Sequence, residues 1–297
     1  MFSIIIPNYN RENSVVKAID SVLNQTYSNF ELIIVDDCST DNSMNVINAI
    51  KDPRINLFKL EKNSGPAVAR NVGISKSKGE YISFLDSDDQ FEKEFLEKTL
   101  KTLNGTSDKI GFTWTGRRLH EDGKIKEQIW DPKYRDDTYH TFLHDIKIGT
   151  SAGITIKSEV FKKVGDFNEN LLAAEDTEFF FRLSQNYDYL VIKNILVNIY
   201  RSNDDRLSKN FKKIAIAYNI FMPTHFPTIN KSAVLQKKYY YKMMWLNYHL
   251  GDKTEARNYF NKIPKEKNNF NTKVIKTLYE LLSIKIAYFV HKKLSKL

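Results

Sequence analysis

Apolar positions in the first hundred residues follow two alternating rhythms. Phe2-Ser3-Ile4-Ile5-Ile6 is a short apolar run, stopped by the turn-rich Pro7-Asn8-Tyr9-Asn10, and reads as a buried strand. Val15, Val16, Ile19, Val22 and Leu23 then recur at three- and four-residue intervals, the spacing of an amphipathic helix. The pair repeats. Phe30 to Val35 reads as a second strand, closed by Asp36-Asp37, and Asp41-Asn42-Ser43 caps a helix carrying Val46, Ile47 and Ile50. Ile55 to Leu60 is a third strand-like stretch, Ser64-Gly65-Pro66 marks another helix start, and Tyr81 to Leu85 is a further strand ending in Asp86-Ser87-Asp88. Strands and helices joined by short links predict an α/β fold: a Rossmann-like, open, mostly parallel sheet flanked by helices. Ligands of such sheets sit at the carboxyl ends of the strands. Those ends here carry Asn8, Tyr9, Asp37, Asp86 and Asp88.

Further along, Gly165-Asp166-Phe167-Asn168-Glu169 and Glu175-Asp176 lead into Thr177 to Leu183, with Phe179, Phe180 and Leu183 on one helical face. Asp176 therefore falls near a helix start, where the macrodipole favours an ionised carboxylate. The stretch from Trp114 to Thr155 is rich in Arg, Asp, Tyr and His, which suits an acceptor-contacting loop region and equally a solvated insert. After Arg201 the character changes. Pro223-Thr224-His225-Phe226-Pro227 breaks the pattern, and helices are expected at about 234–250, 254–263 and 274–294. The middle pair reads as a helical hairpin whose Gly251, Ala256 and Phe260 share tetratricopeptide spacings, with only one unit visible. The reading gives two parts, a catalytic domain over residues 1–210 and a C-terminal helical extension over residues 211–297.

Charge sharpens that division. Residues 1–210 hold 28 Lys+Arg against 32 Asp+Glu, and residues 211–297 hold 17 against 4, so the parts carry −4 and +13 within the overall +9 of the 297-residue chain. The last predicted helix sets Leu278, Leu281, Leu282, Ile286 and Phe289 near one face and Lys276, Lys285, Lys292, Lys293 and Lys296 largely off it. Such a face suits a peripheral contact with an anionic membrane, or packing on the catalytic domain or on a second subunit as a homodimer. No nucleic-acid motif accompanies the charge, so nucleic acid is excluded as a partner. One cysteine, Cys38, rules out an intrachain disulfide framework. Neither a signal peptide nor an apolar run of about 18 residues is recognised, and a cytoplasmic protein, reaching the inner face of the membrane, is expected.

Asp86-Ser87-Asp88 is where candidate chemistry begins, because ionised oxygens one residue apart at a strand end repel each other and resist desolvation. A hard divalent cation offsets both costs. No Gly-x-Gly-x-x-Gly follows the first strand and no Gly-x-x-x-x-Gly-Lys-Ser/Thr occurs, which argues against a dinucleotide dehydrogenase and a P-loop enzyme. Tyr9, Asp37 and the acid triplet suggest base, ribose and diphosphate contacts made by side chains and a metal. Arg70, in the helix begun by Pro66, could pair with Asp37 or a phosphate, or serve a structural ion pair.

Six stretches in order carry a resemblance: Ser3-Ile4-Ile5-Ile6-Pro7-Asn8-Tyr9-Asn10; Ser21-Val22-Leu23-Asn24-Gln25-Thr26; Val35-Asp36-Asp37-Cys38-Ser39-Thr40-Asp41; Asn63-Ser64-Gly65-Pro66-Ala67-Val68-Ala69-Arg70-Asn71; Phe84-Leu85-Asp86-Ser87-Asp88-Asp89; and Glu175-Asp176. Together they resemble the family 2 glycosyltransferases of GT-A fold, over roughly residues 1–210. The resemblance implies inverting transfer of a sugar from a nucleotide-diphosphate donor, usually a UDP-sugar, to a hydroxyl of a glycan or lipid-linked acceptor, assisted by Mn²⁺ or Mg²⁺. It implies Tyr9 against the uracil face beside Pro7, Asp37 accepting the base N–H, and Arg70 among the donor-binding groups. Asp86 would lie near ribose and metal, Asp88 would ligate the ion directly, and Asp89 would be structural. Asp176 would be the general base. Bacterial surface-polysaccharide assembly is the implied setting. Where a histidine often follows the family's Tyr-Arg pair, Tyr200-Arg201 is followed by Ser202-Asn203, and His120, His140 and His144 fit no ligand spacing. The other function class is a non-catalytic sugar-nucleotide or membrane binding module that keeps the fold.

Overall fold

A computed structural model of the chain describes residues 1–129, 138–144, 153–201 and 210–263. The chain divides into two compact units, Met1–Asp205 and Arg206–Leu297. In the first unit β1 (Phe2–Asn8), α1 (Val15–Leu23), β2 (Phe30–Asp36), α2 (Ser43–Asn48), β3 (Ile55–Lys59), α3 (Pro66–Lys76) and β4 (Tyr81–Phe84) follow the rhythm read from the sequence. Then come β5 (Gln90–Phe91), α4 (Phe95–Leu103), β6 (Ile110–Glu121), β7 (Lys124–Gln128), α5 (Thr138–His144), β8 (Ile154–Lys157), α6 (Glu159–Val164), α7 (Glu175–Ser184) and β9 (Asp188–Arg201).

The strands form one sheet in the order β3-β2-β1-β4-β8-β6-β9-β5, with β7 paired to β6. Its first four strands are parallel, so Asn8, Asp36 and the Phe84-Leu85-Asp86 exit leave the sheet at one edge. Antiparallel pairs at β4–β8, β8–β6 and β9–β5 make the other half mixed. The parallel half is the apolar one. Ile4, Ile5, Ile6, Leu32, Ile33, Ile34 and Val35 are fully buried, as expected of strands covered on both faces. One face of this sheet packs on Val15, Ala18, Ile19 and Val22 of α1 and on Phe95 and Leu96 of α4.

Two glycines show how closely the layers approach. A Cβ on Gly73 of α3 would lie 2.4 Å from Cγ2 of Ile5, and one on Gly79 would lie 2.5 Å from the Ser3 nitrogen and 2.7 Å from the Phe2 carbonyl carbon. The Gly79 N–H also donates to Ser3 Oγ, which in turn donates to the buried carboxylate of Glu31. Because backbone cannot move aside, Gly79→Ala is expected to cost about 3 kcal/mol of stability, the upper end of overpacking penalties. Urea unfolding measures it, and a loss below about 0.5 kcal/mol would show that the edge yields more easily than these contacts imply.

Two sequence expectations are corrected. The stretch opening at Trp114 is not loop at its start but the β6–β7 hairpin, turned at Asp122-Gly123 with φ of +51° and +72°. An Asp-Gly pair between strands is the favoured two-residue hairpin turn. Pro223 and Pro227 do not break a helix. In the second unit α8 (Phe211–Ile229) runs through both, and the two prolines lie exposed, where a carbonyl that has lost its intrahelical partner can meet water. Phe226 meets Tyr239 of α9 (Ala233–Leu250), with ring centroids 5.7 Å apart. α9 ends at Gly251 (φ +86°), and Asp252 caps α10 (Lys253–Lys262) by accepting the Glu255 N–H, completing the predicted hairpin. Among the described residues no helix is long and apolar enough to cross a membrane. The basic helix expected at 274–294, and Ser202-Asn203, lie outside the described residues.

Candidate active site

The parallel strand ends deliver two loops that are stitched together. Asn8 Nδ2 donates to Asp36 Oδ1 at 2.9 Å, and Ser39 binds the same carboxylate through its N–H and its hydroxyl. Ser39 Oγ accepts the Asn10 N–H, Ser43 Oγ accepts that of Arg11, Asp41 Oδ2 accepts that of Glu12, and Glu12 Oε2 accepts that of Asn42 across the gap. Asp36 is thus consumed internally. Asn10 (φ +50°) and Cys38 (φ +61°) hold left-handed backbone within this cradle, a strained conformation for cysteine that the surrounding bonds sustain. Tyr9, 41 % exposed, stands out from it beside the half-buried Pro7.

Asp37, buried, accepts the backbone N–H groups of Ser64 and Gly65 at 2.7 Å each. It caps α3 from outside the helix, while Gly65 supplies the φ of +92° that leads into Pro66. Burial pushes its carboxyl up, against the pull of those two bonds. A carboxylate has roughly four acceptor sites, so two bonds leave it able to accept another N–H.

Behind β4, Asp86, Asp88 and Asp89 bring one carboxylate oxygen each within 4.8 Å of one another. Asp86 and Asp88 are 36 % and 38 % exposed at the side chain, open enough to meet a ligand. Asp89 is buried and accepts the Tyr200 N–H of β9. Desolvation and the neighbouring charge of Asp86 raise the Asp88 carboxyl, with Arg11, 3.4 Å away, opposing them. Crowded, partly desolvated carboxylates are a fitting donor set for a hard divalent cation.

Arg70 corrects the sequence reading in its partners. It does not pair with Asp37. Its side chain is 7 % exposed and divides its guanidinium between Asp86 Oδ1 at 3.2 Å and Glu175 Oε1 at 2.7 Å. Burial opposes its charge, but Asp86, Glu175 and Asp176 outweigh burial and keep it cationic.

Asp176 is the second residue of α7, whose N-cap is Ala174 in left-handed backbone (φ +57°) with no side-chain cap. Asp176 is therefore not the cap. Its Oδ1 accepts the N–H of the next residue, Thr177. The helix start was expected to favour its ionised form; instead its carboxyl is pushed up to about 7, chiefly by desolvation and then by Glu175, against the pull of Arg70. Burial and the charges of Glu175 and Asp86 thus prevail over the expected preference for the ionised form at the start of α7.

The structure brings Pro7, Tyr9, Asp37, Asp86 and Asp88 to one sheet edge and joins Asp176 to it through Glu175 and Arg70. The sequence reading quoted Asn71 and Glu175 without giving them a role, and left Arg11 out. Glu175 was legible only as the neighbour of Asp176, since no spacing tells which of two adjacent acids turns toward a buried arginine.

The model of the family described as "Glycosyl transferase family 2" matches residues 3–165, more than half of the chain. A putative teichuronic acid biosynthesis glycosyltransferase, TuaG of Bacillus subtilis, is 42 % identical over 121 residues, covering 40 % of this chain and 47 % of its own. The chain spans between a quarter and half the length of this and other curated relatives it matches. Among solved structures, residues 1–349 of S. aureus TarS in complex with UDP-GlcNAc superpose with a TM-score of 0.63 at 18 % identity, over 89 % of this chain and 81 % of that one. The mannosyltransferase PcManGT of Pyrobaculum calidifontis, solved with GDP-Man and Mn²⁺, gives 0.57 at 15 % identity over 99 % and 79 %. These likenesses establish the GT-A fold. By its family match and its fold, the chain belongs to glycosyl transferase family 2.

Proposed function

We propose that this protein is an inverting glycosyltransferase, moving a sugar from a UDP-sugar to a hydroxyl of a glycan or lipid-linked acceptor. The observation that carries this reading is the junction of Asp86, Arg70 and Glu175, which sets the start of α7, with Asp176, against the strand end bearing the acid triplet. Relatives point the same way: TarS was solved with UDP-GlcNAc, and TuaG is named for teichuronic acid biosynthesis.

In this reading Tyr9 lies on the uracil face, flanked by Pro7, and Asp37 accepts the base N–H with an acceptor site that Ser64 and Gly65 leave over. Asp88 and Asp86 hold Mn²⁺ or Mg²⁺. When bound, the ion neutralises diphosphate charge. Asp176, ionised, takes the proton of the acceptor hydroxyl as that oxygen attacks the anomeric carbon and the bond to the diphosphate breaks, so that UDP leaves on the opposite side of the sugar. A carboxyl raised to about 7 is a stronger base than an ordinary aspartate and is still largely ionised at slightly alkaline pH.

A thermal-shift screen of the full chain against UDP-, GDP- and ADP-sugars, with and without Mn²⁺, tests the reading. A UDP-sugar with Mn²⁺ is expected to raise the melting temperature by several degrees through mass action, roughly 2.7 kcal/mol at a hundredfold excess over Kd. No shift with any donor, and no UDP released from any UDP-sugar, would leave it without support.

A further inference from the structure

Arg70 and Asn71, consecutive on α3, grip both ends of the segment that leads to Asp176. Asn71 Nδ2 donates to the Phe167 carbonyl at 2.9 Å, and its Oδ1 accepts the Phe167 N–H at the same distance. The Phe167 ring lies beneath the Arg70 guanidinium, 5.7 Å from centroid to Cζ, and packs on Phe84 of β4 and Phe179 of α7. At the far end of the segment Arg70 Nη1 holds Glu175, and Nη2 holds Asp86. One planar fork therefore ties α7 and the exit of β4 to a single helix.

Nothing in α7 fixes its start in the same way. Ala174 offers no cap bond, and the first turn carries three acids. Glu178 is neutralised by Arg182 within the helix, at 2.6 Å. Glu175 is held by Arg70, and Asp176 has no salt bridge of its own among the described residues. The arrangement also has a cost: Arg70 Nε is buried without a partner. A buried ion pair is weak evidence for stability, and apolar side chains of similar volume often serve as well. An unpaired buried N–H calls for another explanation.

We propose that Arg70 and Glu175 are positioning residues, fixing the distance between the acid triplet and the Asp176 carboxyl, and that Arg70 contacts neither nucleotide nor sugar. The proposal rests on the glycosyl-transfer reading for its kinetic consequence only. Glutamine at 175 keeps the shape of the side chain but weakens its hold on the guanidinium. Lysine at 70 replaces a two-pronged donor by a point charge that cannot serve both carboxylates in the same geometry.

The test compares the full-length wild type with Glu175→Gln and Arg70→Lys in three measurements: calorimetric Kd for UDP with Mn²⁺, UDP release from UDP-sugars, and crystal structures. Glu175→Gln is expected to keep that Kd within about twofold while lowering kcat roughly a hundredfold, with the Asp176 carboxyl displaced by about 1 Å. Arg70→Lys is expected to show the same displacement. Turnover within about threefold of wild type in Glu175→Gln overturns the proposal. So does a fall in turnover with Asp176 unmoved, which marks a merely structural pair. If wild-type protein neither binds UDP with Mn²⁺ nor releases UDP, the transfer reading fails by itself. The crystal structures still decide: Asp176 in its wild-type place in both variants defeats the positioning role, and Asp176 displaced upholds it.

Discussion

Asp176→Asn is expected to lower kcat by about a thousandfold, within the range of general-base contributions, while leaving the Kd of UDP with Mn²⁺ nearly unchanged. The substitution keeps an oxygen able to accept the Thr177 N–H and removes only the capacity to take a proton. Stability should move the other way. The Asp176 carboxyl ionises at about 7 in the folded chain against an ordinary 3.8, so between those values the native state binds more protons than the unfolded one. Wild-type stability therefore falls as pH rises through that window, and the penalty is complete above the folded value and absent below the ordinary one. The Asn variant has no such group. It should be more stable than wild type at pH 8 and lose the advantage toward pH 4. Urea unfolding at both pH values checks the sign, and equal curves at pH 8 would show that desolvation of this carboxyl is relieved in the folded state. Turnover of the wild type should rise through neutral pH as the base ionises. A variant with normal turnover would move the general base to another group, whereas a wild type with no turnover to lose would belong to the class of non-catalytic binding modules.

Asp88→Ala should abolish the Mn²⁺-dependent part of donor binding. The thermal shift given by UDP with Mn²⁺ in wild type, equivalent to roughly 2.7 kcal/mol at a hundredfold excess over Kd, is expected to vanish. The metal-free variant should fold as stably as wild type. Burial and the charge of Asp86 already raise the Asp88 carboxyl, and its ion pair with Arg11 joins side chains 38 % and 43 % exposed, a kind of contact worth little. A surviving Mn²⁺-dependent shift would move the direct ligand to Asp86 or Asp89.

Much of this was legible in the chain, unevenly. The parallel half of the sheet announced itself because strands buried on both faces are near-continuous apolar runs, as in Ile4-Ile5-Ile6 and Leu32-Ile33-Ile34-Val35. β6 and β9 did not. They are 12 and 14 residues long with register shifts between them, and β6 ends in Gly116-Arg117-Arg118-Leu119-His120-Glu121, a polar run that a solvated segment also shows. The helix through Pro223 and Pro227 was misread because proline acts locally, whereas packing on α9 decides the outcome. At the site, carboxylates at strand ends could be found from pattern and motif together. Their hydrogen-bond partners could not. That Asp37 caps α3 while Asp36 is spent on Asn8 and Ser39 depends on which way each of two neighbouring side chains turns.

The double hold of α3 has an evolutionary corollary. Asp37 clasps its first turn, Arg70 its second, and Asn71 with Arg70 fastens the chain again at Phe167 and Glu175. The exit of β4 at Asp86 and the chain at Phe167 are thus fastened to one helix, while β6, β8 and α6 between them build the sheet and pack Phe161 on Phe84 and Phe179. Changes of length at the exposed Asp122-Gly123 turn leave those anchors untouched. Under the proposed function, a lineage of such proteins can vary that turn while the groups proposed to hold the donor stay in place.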